Sequence, residues 1–337
     1  MLNTLQISGV GPLKDTEICF NRDINILTGP KGLGKSFLLD VAWWSLTQTW
    51  ARGVMAVPFQ AKDTPSITYS YTTEQHKDYK GTGFFSSIDQ QWTTPNDHIS
   101  NSSIVIYAGA NGNFSVYDPI RNSKRIGCFD FTPKQVLYGL TANDGKTQLC
   151  NGLLYDVAFW QNSGNNSFRD LRKIVSKFGN LHSEVIQMGC LVRDGFSVSD
   201  MPSICLSYDD NIPFIYAPES IKRIITFLYM LVWALSEHKI ACKRLGVKPT
   251  KNIIFLIDGI EICTPVQWEY HLVSTVLELV YDLPMQDGAN KSYASAQLIA
   301  STDSPAVLHV VVNKSKIHFR TSLDHSLGNG KVEVIKN

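Results

Sequence analysis

The sequence lacks several things, and each absence excludes a class. Its seven cysteines (Cys19, Cys128, Cys150, Cys190, Cys205, Cys242 and Cys263) are odd in number and contain no C-x-x-C pair. That excludes a zinc ribbon or a redox motif and points to free thiols in a reducing compartment. The eight histidines show no H-E-x-x-H and no paired metal spacing. Net charge is nearly absent, with 31 Lys+Arg against 30 Asp+Glu. No strong field therefore draws the whole chain to nucleic acid or membrane, although a local basic patch stays open. The longest apolar run, residues 224–235, is interrupted by Thr226 and is shorter than the about 20 residues that cross a bilayer. The opening MLNTLQISGVGPLKD has no basic stretch followed by an apolar one, so no signal peptide is read there and a cytoplasmic location is expected. Repeats, sustained heptads and low-complexity tracts are missing as well, which excludes a solenoid or a coiled-coil arm.

What is there is a globular composition, 44% apolar and 18% charged over 337 residues, enough for one large domain or two small ones. LNTLQIS and TEICF alternate apolar and polar residues as half-buried strands do, and INILTG is more continuously apolar, as a central strand entering a loop would be. KSFLLDVAWWSLTQTW (35–50) follows with helical spacing. Residues 51–131 read as β-rich (SITYSYT, SIVIYAGA, NFSVYD), and residues 133–178 as helical (PKQVLYGL, LCNGLLYDVAFWQ, FRDLRKIVSKF). A long helix is predicted over 221–245, with Ile221, Ile224, Ile225, Leu228, Leu231, Val232 and Leu235 toward the core. A strand IIFLID, a helix near 266–283, a central strand SAQLIAST and short strands VLHVVVNK and KIHFRTS complete the reading. Trp43, Trp44, Trp50, Trp160 and Trp233 fall at apolar helical positions, where core packing accounts for them.

GPKGLGKS (29–36) fits G-x-x-x-x-G-K-[ST] in full, between a predicted buried strand and a predicted helix. Chance gives such a match in about one chain of this length per hundred on average residue frequencies. Gly29, Pro30, Lys31, Gly32, Leu33, Gly34, Lys35, Ser36 and Phe37 thus form a candidate phosphate cradle. Glycines let backbone N–H groups wrap the phosphates and the helix N-terminus adds its dipole. Lys35 would reach the outer phosphates, and the Ser36 hydroxyl would ligate Mg²⁺. The competing reading is a Gly-rich turn with a solvated lysine. IIFLID supplies the second metal element, Asp258 at a strand's carboxyl end. Alone, such an aspartate would be read as an ordinary strand cap.

With those residues in hand, the chain resembles the SMC-like, ABC-type ATP-binding proteins of bacterial antiphage defence operons. The likeness is carried by FNRDINILTGPKGLGKSFLLDVAWWSLTQTW, IVIYAGANGNFSVYDP, CNGLLYDVAFWQ, IKRIITFLYMLVWALSEH, IIFLIDGIE and ASTDSPAVL, which occur in the family's order over nearly the whole chain. The narrower resemblance is to ATPase subunits of Septu-type systems, which accompany an HNH nuclease. The resemblance implies an α/β P-loop NTPase fold: an ABC/SMC-type head with an antiparallel β subdomain and a helical lobe. The whole of 1–337 would be one head. Residues 1–131 would form the phosphate-loop and β-rich lobe, 132–200 the helical lobe, and 201–337 the signature, metal-strand and switch portion. ATP and Mg²⁺ are the implied cofactors. The implied partners are further copies of the chain, head to tail or in a higher oligomer, and a separate effector of HNH-nuclease type, through which DNA would be reached.

The chain departs from the family's pattern at four places. PESIKRI matches the signature at Lys222, Arg223 and Ile224, but Pro218 replaces the serine and Ser220 the glycine. Gly259 stands where the family has its water-activating glutamate, and Glu261 matches the family's own second acid. Asp303 stands where a γ-phosphate-sensing histidine is expected. The nucleotide-holding residues are intact, whereas γ-phosphate recognition and water activation are not. Since general-base activation is worth about 10²–10⁴ in rate, the expectation is a nucleotide-binding pseudo-ATPase.

Two features stay open. Gln161 is either the metal-contacting glutamine at the lobe junction or a helix-end glutamine. Lys239, Lys243, Arg244, Lys248 and Lys251 are either a solvated helix end or a contact for DNA or a phosphoprotein. Three functions compete: a nucleotide-bound regulatory subunit, an active ATPase with an unconventional base, and a DNA-binding head of the repair type.

Overall fold

The computed structural model describes residues 1–58, 64–73, 76–94, 101–122, 127–193, 200–284, 294–324 and 329–336. Of the stretch read as β-rich, residues 59–63, 74–75, 95–100 and 123–126 lie outside them. The chain opens with β1 (Leu2–Val10), β2 (Leu13–Cys19) and β3 (Ile24–Thr28), then α1 (Lys35–Thr47). Next come β4 (Ser66–Thr72), β5 (Asp78–Ser86), β6 (Gln91–Thr93), β7 (Ile104–Ala108), β8 (Phe114–Tyr117) and β9 (Phe129–Phe131). The middle holds α2 (Pro133–Tyr138), the two-stranded β10 (Leu140–Thr141) and β11 (Gln148–Cys150), α3 (Leu153–Asn162) and α4 (Asn166–Leu181). A small meander, β12 (Ile186–Met188), β13 (Ser203–Leu206) and β14 (Asp209–Pro213), leads to α5 (Glu219–Leu245). The chain continues through β15 (Asn252–Ile257), α6 (Val266–Glu269), α7 (Leu272–Tyr281), β16 (Ser295–Ser301), α8 (Pro305–Val310), β17 (Lys316–Asp324) and β18 (Asn329–Lys336).

Two sheets organise these elements. One is antiparallel, in the order β2-β1-β4-β5-β6; the other has eight strands, β18-β17-β3-β16-β15-β7-β8-β9. Strands β17, β3, β16, β15 and β7 are mutually parallel, and at the flanks β18, β8 and β9 each pair antiparallel with their inner neighbour. Strands β7 and β15 read as nearly continuous apolar runs because both faces are covered, while β3 and β16 carry a buried Asn25 and Gln297 within theirs. In β15, Ile253, Phe255 and Ile257 join the core under the helices, while Ile254 and Leu256 join the core around α1. Helix α1 lies between the two sheets with Trp43 and Trp44 fully buried. Gln297 of β16 stitches the sheets together, accepting from Leu2 N–H (2.7 Å) and donating to Leu2 O (2.8 Å). This is what lets a polar side chain lie buried at that position.

Helix α5 crosses the other face. Its 27 residues span about 40 Å, and its length and composition would suffice to cross a bilayer. Twelve of those residues are buried in the fold, from Ile221 to Cys242, so it serves as the central core helix of the helical side. Its far end is fixed by His238, whose Nδ1 pairs with Asp118 (2.9 Å) while Nε2 accepts from Thr250 N–H (3.0 Å).

Several predicted elements differ. VLHVVVNK is not a strand: Ser304 caps a helix by accepting from Ala306 and Val307 N–H, and Pro305 sits at its first position, so residues 305–310 are helical. LCNGLLYDVAFWQ is helical only from Leu153, after strand β11 and Gly152 at φ 87°. The helix near 266–283 is two, α6 and α7, interrupted at Tyr270 and His271. Trp50 lies beyond the end of α1, partly buried and stacked on Trp44 at 5.7 Å. Of the basic cluster, Lys243 and Arg244 occupy the last turn of α5, the end that helix-dipole electrostatics favours for cations.

Candidate functional site

Because β3, β7, β15 and β16 are parallel, their carboxyl ends emerge along one edge, where open α/β sheets bind ligands. Four segments meet there: the loop after β3, Ala110 after β7, Asp258–Gly259 after β15 and Ser301–Asp303 at the end of β16. They line a cleft of about 500 Å³, bounded also by Lys31, Glu261 and Ile262. That is the size range of small-ligand pockets.

The loop wall is set by backbone. Gly29, Gly32 and Gly34 have φ of 132°, 83° and 91°. A side chain at Gly29 would put its Cβ 2.2 Å from Phe319 O, so the loop is pressed directly onto β17. The first intrahelical bond of α1 runs from Leu38 N–H to Gly34 O (2.9 Å). The amides of Lys35, Ser36 and Phe37 precede it and have no intrahelical acceptor, which leaves an anion-holding nest at a helix start. Lys35 folds back over the loop, with Nζ 2.5 Å from Gly29 O, 3.0 Å from Pro30 O and 3.0 Å from Asp303 Oδ1.

Ser36 and Asp258, predicted together from 222 residues apart, do meet: Ser36 Oγ donates to Asp258 Oδ1 at 2.9 Å. Two adjacent ligands of an octahedral Mg²⁺ at about 2.1 Å stand about 3 Å apart, so this pair fits a hard cation without rearrangement. Ser301, which the sequence reading did not single out, shares the same oxygen (Oγ to Asp258 Oδ1, 2.7 Å) and accepts from Gly259 N–H (2.7 Å). It orients the carboxylate as outer hydrogen bonds orient metal ligands.

The opposite rim is wired by side chains. Glu261 uses both carboxylate oxygens on the switch segment: Oε2 accepts from Thr302 Oγ1 (2.7 Å) and Oε1 from Asp303 N–H (2.9 Å). Ser304 donates to Glu269, tying that segment to α6. Gly259 sits at φ +67°, and an added Cβ would lie 2.3 Å from Ile262 Cδ1. Behind α1, a second network escaped the sequence reading: Arg52 bonds Asp40 and Tyr107 OH (3.2 Å). Burial raises the Asp40 carboxyl above its ordinary range, against the pull of Arg52.

Gln161 is not brought to the cleft. It ends α3 and donates Nε2–H to Gly189 O (3.1 Å), because the helix points it at the meander rather than the sheet edge; Ala110 occupies the corresponding wall of the cleft. Pro218 and Ser220 also lie away from it, at the exposed start of α5. Arg223 reaches back from that helix to Gly109 O (2.7 Å), linking it to the loop beside Ala110.

No family model and no curated protein matches the sequence. Solved structures match in fold. The chain is similar to an SMC head bound to the C-winged helix domain of ScpA, with TM-score 0.50 and 11% identity over 100% of this chain and 98% of that one. It is also similar to the SMC head domain from Thermotoga maritima (TM-score 0.49, 12% identity, covering 100% and 98%). A third likeness is to the recombination mediator protein RecF with ATPrS (TM-score 0.46, 12% identity, covering 95% and 95%). The fold is an α/β P-loop head of the ABC/SMC type.

Proposed function

We propose that the chain binds ATP with Mg²⁺ through the loop at 29–37, Ser36 and Asp258, turns it over slowly if at all, and acts as a regulatory or scaffold subunit. One observation carries the reading: a complete phosphate loop faces a cleft in which each carboxylate already has a partner. Asp258 Oδ1 accepts from Ser36 and Ser301, both Glu261 oxygens are engaged by Thr302 and Asp303, Asp303 is paired with the loop lysine, and Gly259 offers no side chain at all. General-base catalysis needs a free acceptor within hydrogen-bond reach of the water.

The finer placement follows the sequence resemblance: a Septu-type subunit of an antiphage defence complex that self-associates head to tail and restrains an HNH-type nuclease. The fold supports a partner by analogy: an SMC head was solved with the C-winged helix domain of ScpA bound. Expressed without its neighbouring genes, this chain should give no defence.

The biochemical test is phosphate release by the purified chain over hours, with Lys35→Ala as background, alongside calorimetry. Binding should vanish in Lys35→Ala while the circular dichroism spectrum stays native, since Lys35 reaches into the loop. Turnover near one per second, lost in Lys35→Ala, would overturn the slow-turnover reading. Equal ATP affinity in both proteins would overturn the site.

A further inference from the structure

Lys35 has no free donor. An ammonium carries three N–H bonds, and Gly29 O, Pro30 O and Asp303 Oδ1 lie within 3.0 Å of Nζ, on a side chain only 10% exposed. The only charged one of these is Asp303, so the loop's cation is already neutralised by an anion of the chain itself. Lys31 is the second cation nearby, but it stands 3.9 Å from Asp303 Oδ2 and is 87% exposed, a loose partner. The main chain of Asp303 is anchored by its N–H to Glu261 (2.9 Å), which places the residue beside the loop, and its carboxylate reaches Lys35 Nζ at 3.0 Å. The amides of Lys35, Ser36 and Phe37 are a separate anion-holding group, and Asp303 does not occupy them.

Resting on the reading that the loop takes a nucleotide, we infer that Asp303 is a specificity-determining residue that makes the cleft prefer a nucleoside diphosphate to a triphosphate. A diphosphate satisfies the amides and reaches the ammonium by displacing a neutral carbonyl, Gly29 O or Pro30 O, leaving the Asp303 pair in place. A third phosphate adds negative charge beside a carboxylate already seated on Lys35, within the range where like charges repel strongly in a partly desolvated cleft. The site therefore rests with ADP, and ATP loads only by displacing Asp303 from the lysine.

The test is calorimetry on the full chain with MgADP and a non-hydrolysable MgATP analogue, in wild type, Asp303→Asn, Asp303→Ser and Lys35→Ala. Asparagine keeps the shape and removes the charge; serine removes the side chain's reach. Wild type should bind the diphosphate at least tenfold tighter, about 1.4 kcal/mol, and both Asp303 variants should narrow that ratio by strengthening triphosphate binding. Equal affinities in wild type, or a ratio unchanged in both variants, would overturn the role of Asp303 while leaving the nucleotide site standing. Binding of neither nucleotide by any folded variant would overturn the site itself.

Discussion

The two walls of the cleft are built differently. The loop wall is held by backbone: three glycines at positive φ, carbonyls folded over a lysine, and amides left free by the start of α1. The opposite rim is held by side chains bonded to one another, Glu261 to Thr302 and Asp303, and Ser304 to Glu269. A backbone cradle has few ways to change and still hold a phosphate. A side-chain lattice can be rewired, one residue at a time, without opening the fold. Holding a phosphate and acting on it thus depend on different kinds of contact, and one can persist where the other has been replaced.

The largest effect should come from breaking the rigid wall. Gly29→Ala places a Cβ against the Phe319 carbonyl, a backbone atom with nowhere to go, and should cost about 3 kcal/mol or more. Gly32→Ala meets no atom within 4 Å and should cost only the left-handed strain, about 1–2 kcal/mol. Urea denaturation of the two variants measures the gap; equal losses would mean that contact with β17 does not fix the loop. Next in size is Ser301→Ala, at the seam between the walls. It strips one hydrogen bond from Asp258 and leaves Gly259 N–H unpaired, and Mg²⁺-dependent nucleotide affinity should fall about tenfold. Titrations with Mg²⁺ and with EDTA would show it, and an unchanged metal dependence would remove Ser301 from the site.

The smallest effect concerns the support under the rim. His182 packs on Phe178 and Trp268, beside the helix that carries Glu269. Burial, and then the neighbouring His271, lower its imidazole from 6.5 to about 4. The unfolded chain therefore binds the extra proton first, so this contribution is complete above about pH 6.5 and is lost as pH falls toward 4. The thermal midpoint should decline over that window, and His182→Gln should flatten the decline. An identical pH profile in the variant would show that the acid sensitivity lies elsewhere. The effect is modest because the ring is half-buried.

The central strands were legible from their largely apolar composition, β3, β15 and β16 among them, but their order in the sheet was not. The loop was legible because it is one contiguous motif. What escaped was set at longer range or by single residues. VLHVVVNK has strand-forming composition, and only the cap of Ser304 with Pro305 turns its first half helical. Ser301 carries no motif, and its role appears only when β15 and β16 pair in register, Ile257 beside Ala300. Asp40, Arg52 and Tyr107 meet across two elements and a turn, which no spacing rule anticipates. Gln161 stayed undecided in sequence because a helix-end glutamine looks the same whichever way its helix is aimed; here it bonds Gly189 O.

Gly259 also constrains the mutational routes open to this chain. A glutamate introduced there would have to adopt φ +67°, a strain of about 1–2 kcal/mol, and would find its first carbon in the space now filled by Ile262. A single substitution would therefore arrive as a defect rather than a gain. Ile262 Cδ1 and Cγ1 are the outer atoms of a side chain that can turn aside, so the lasting cost is the backbone strain, and a glutamate there would still meet Asp303 seated on Lys35. The backbone at this one residue thus sets a barrier of its own against regaining the carboxylate, apart from any chemistry in the cleft.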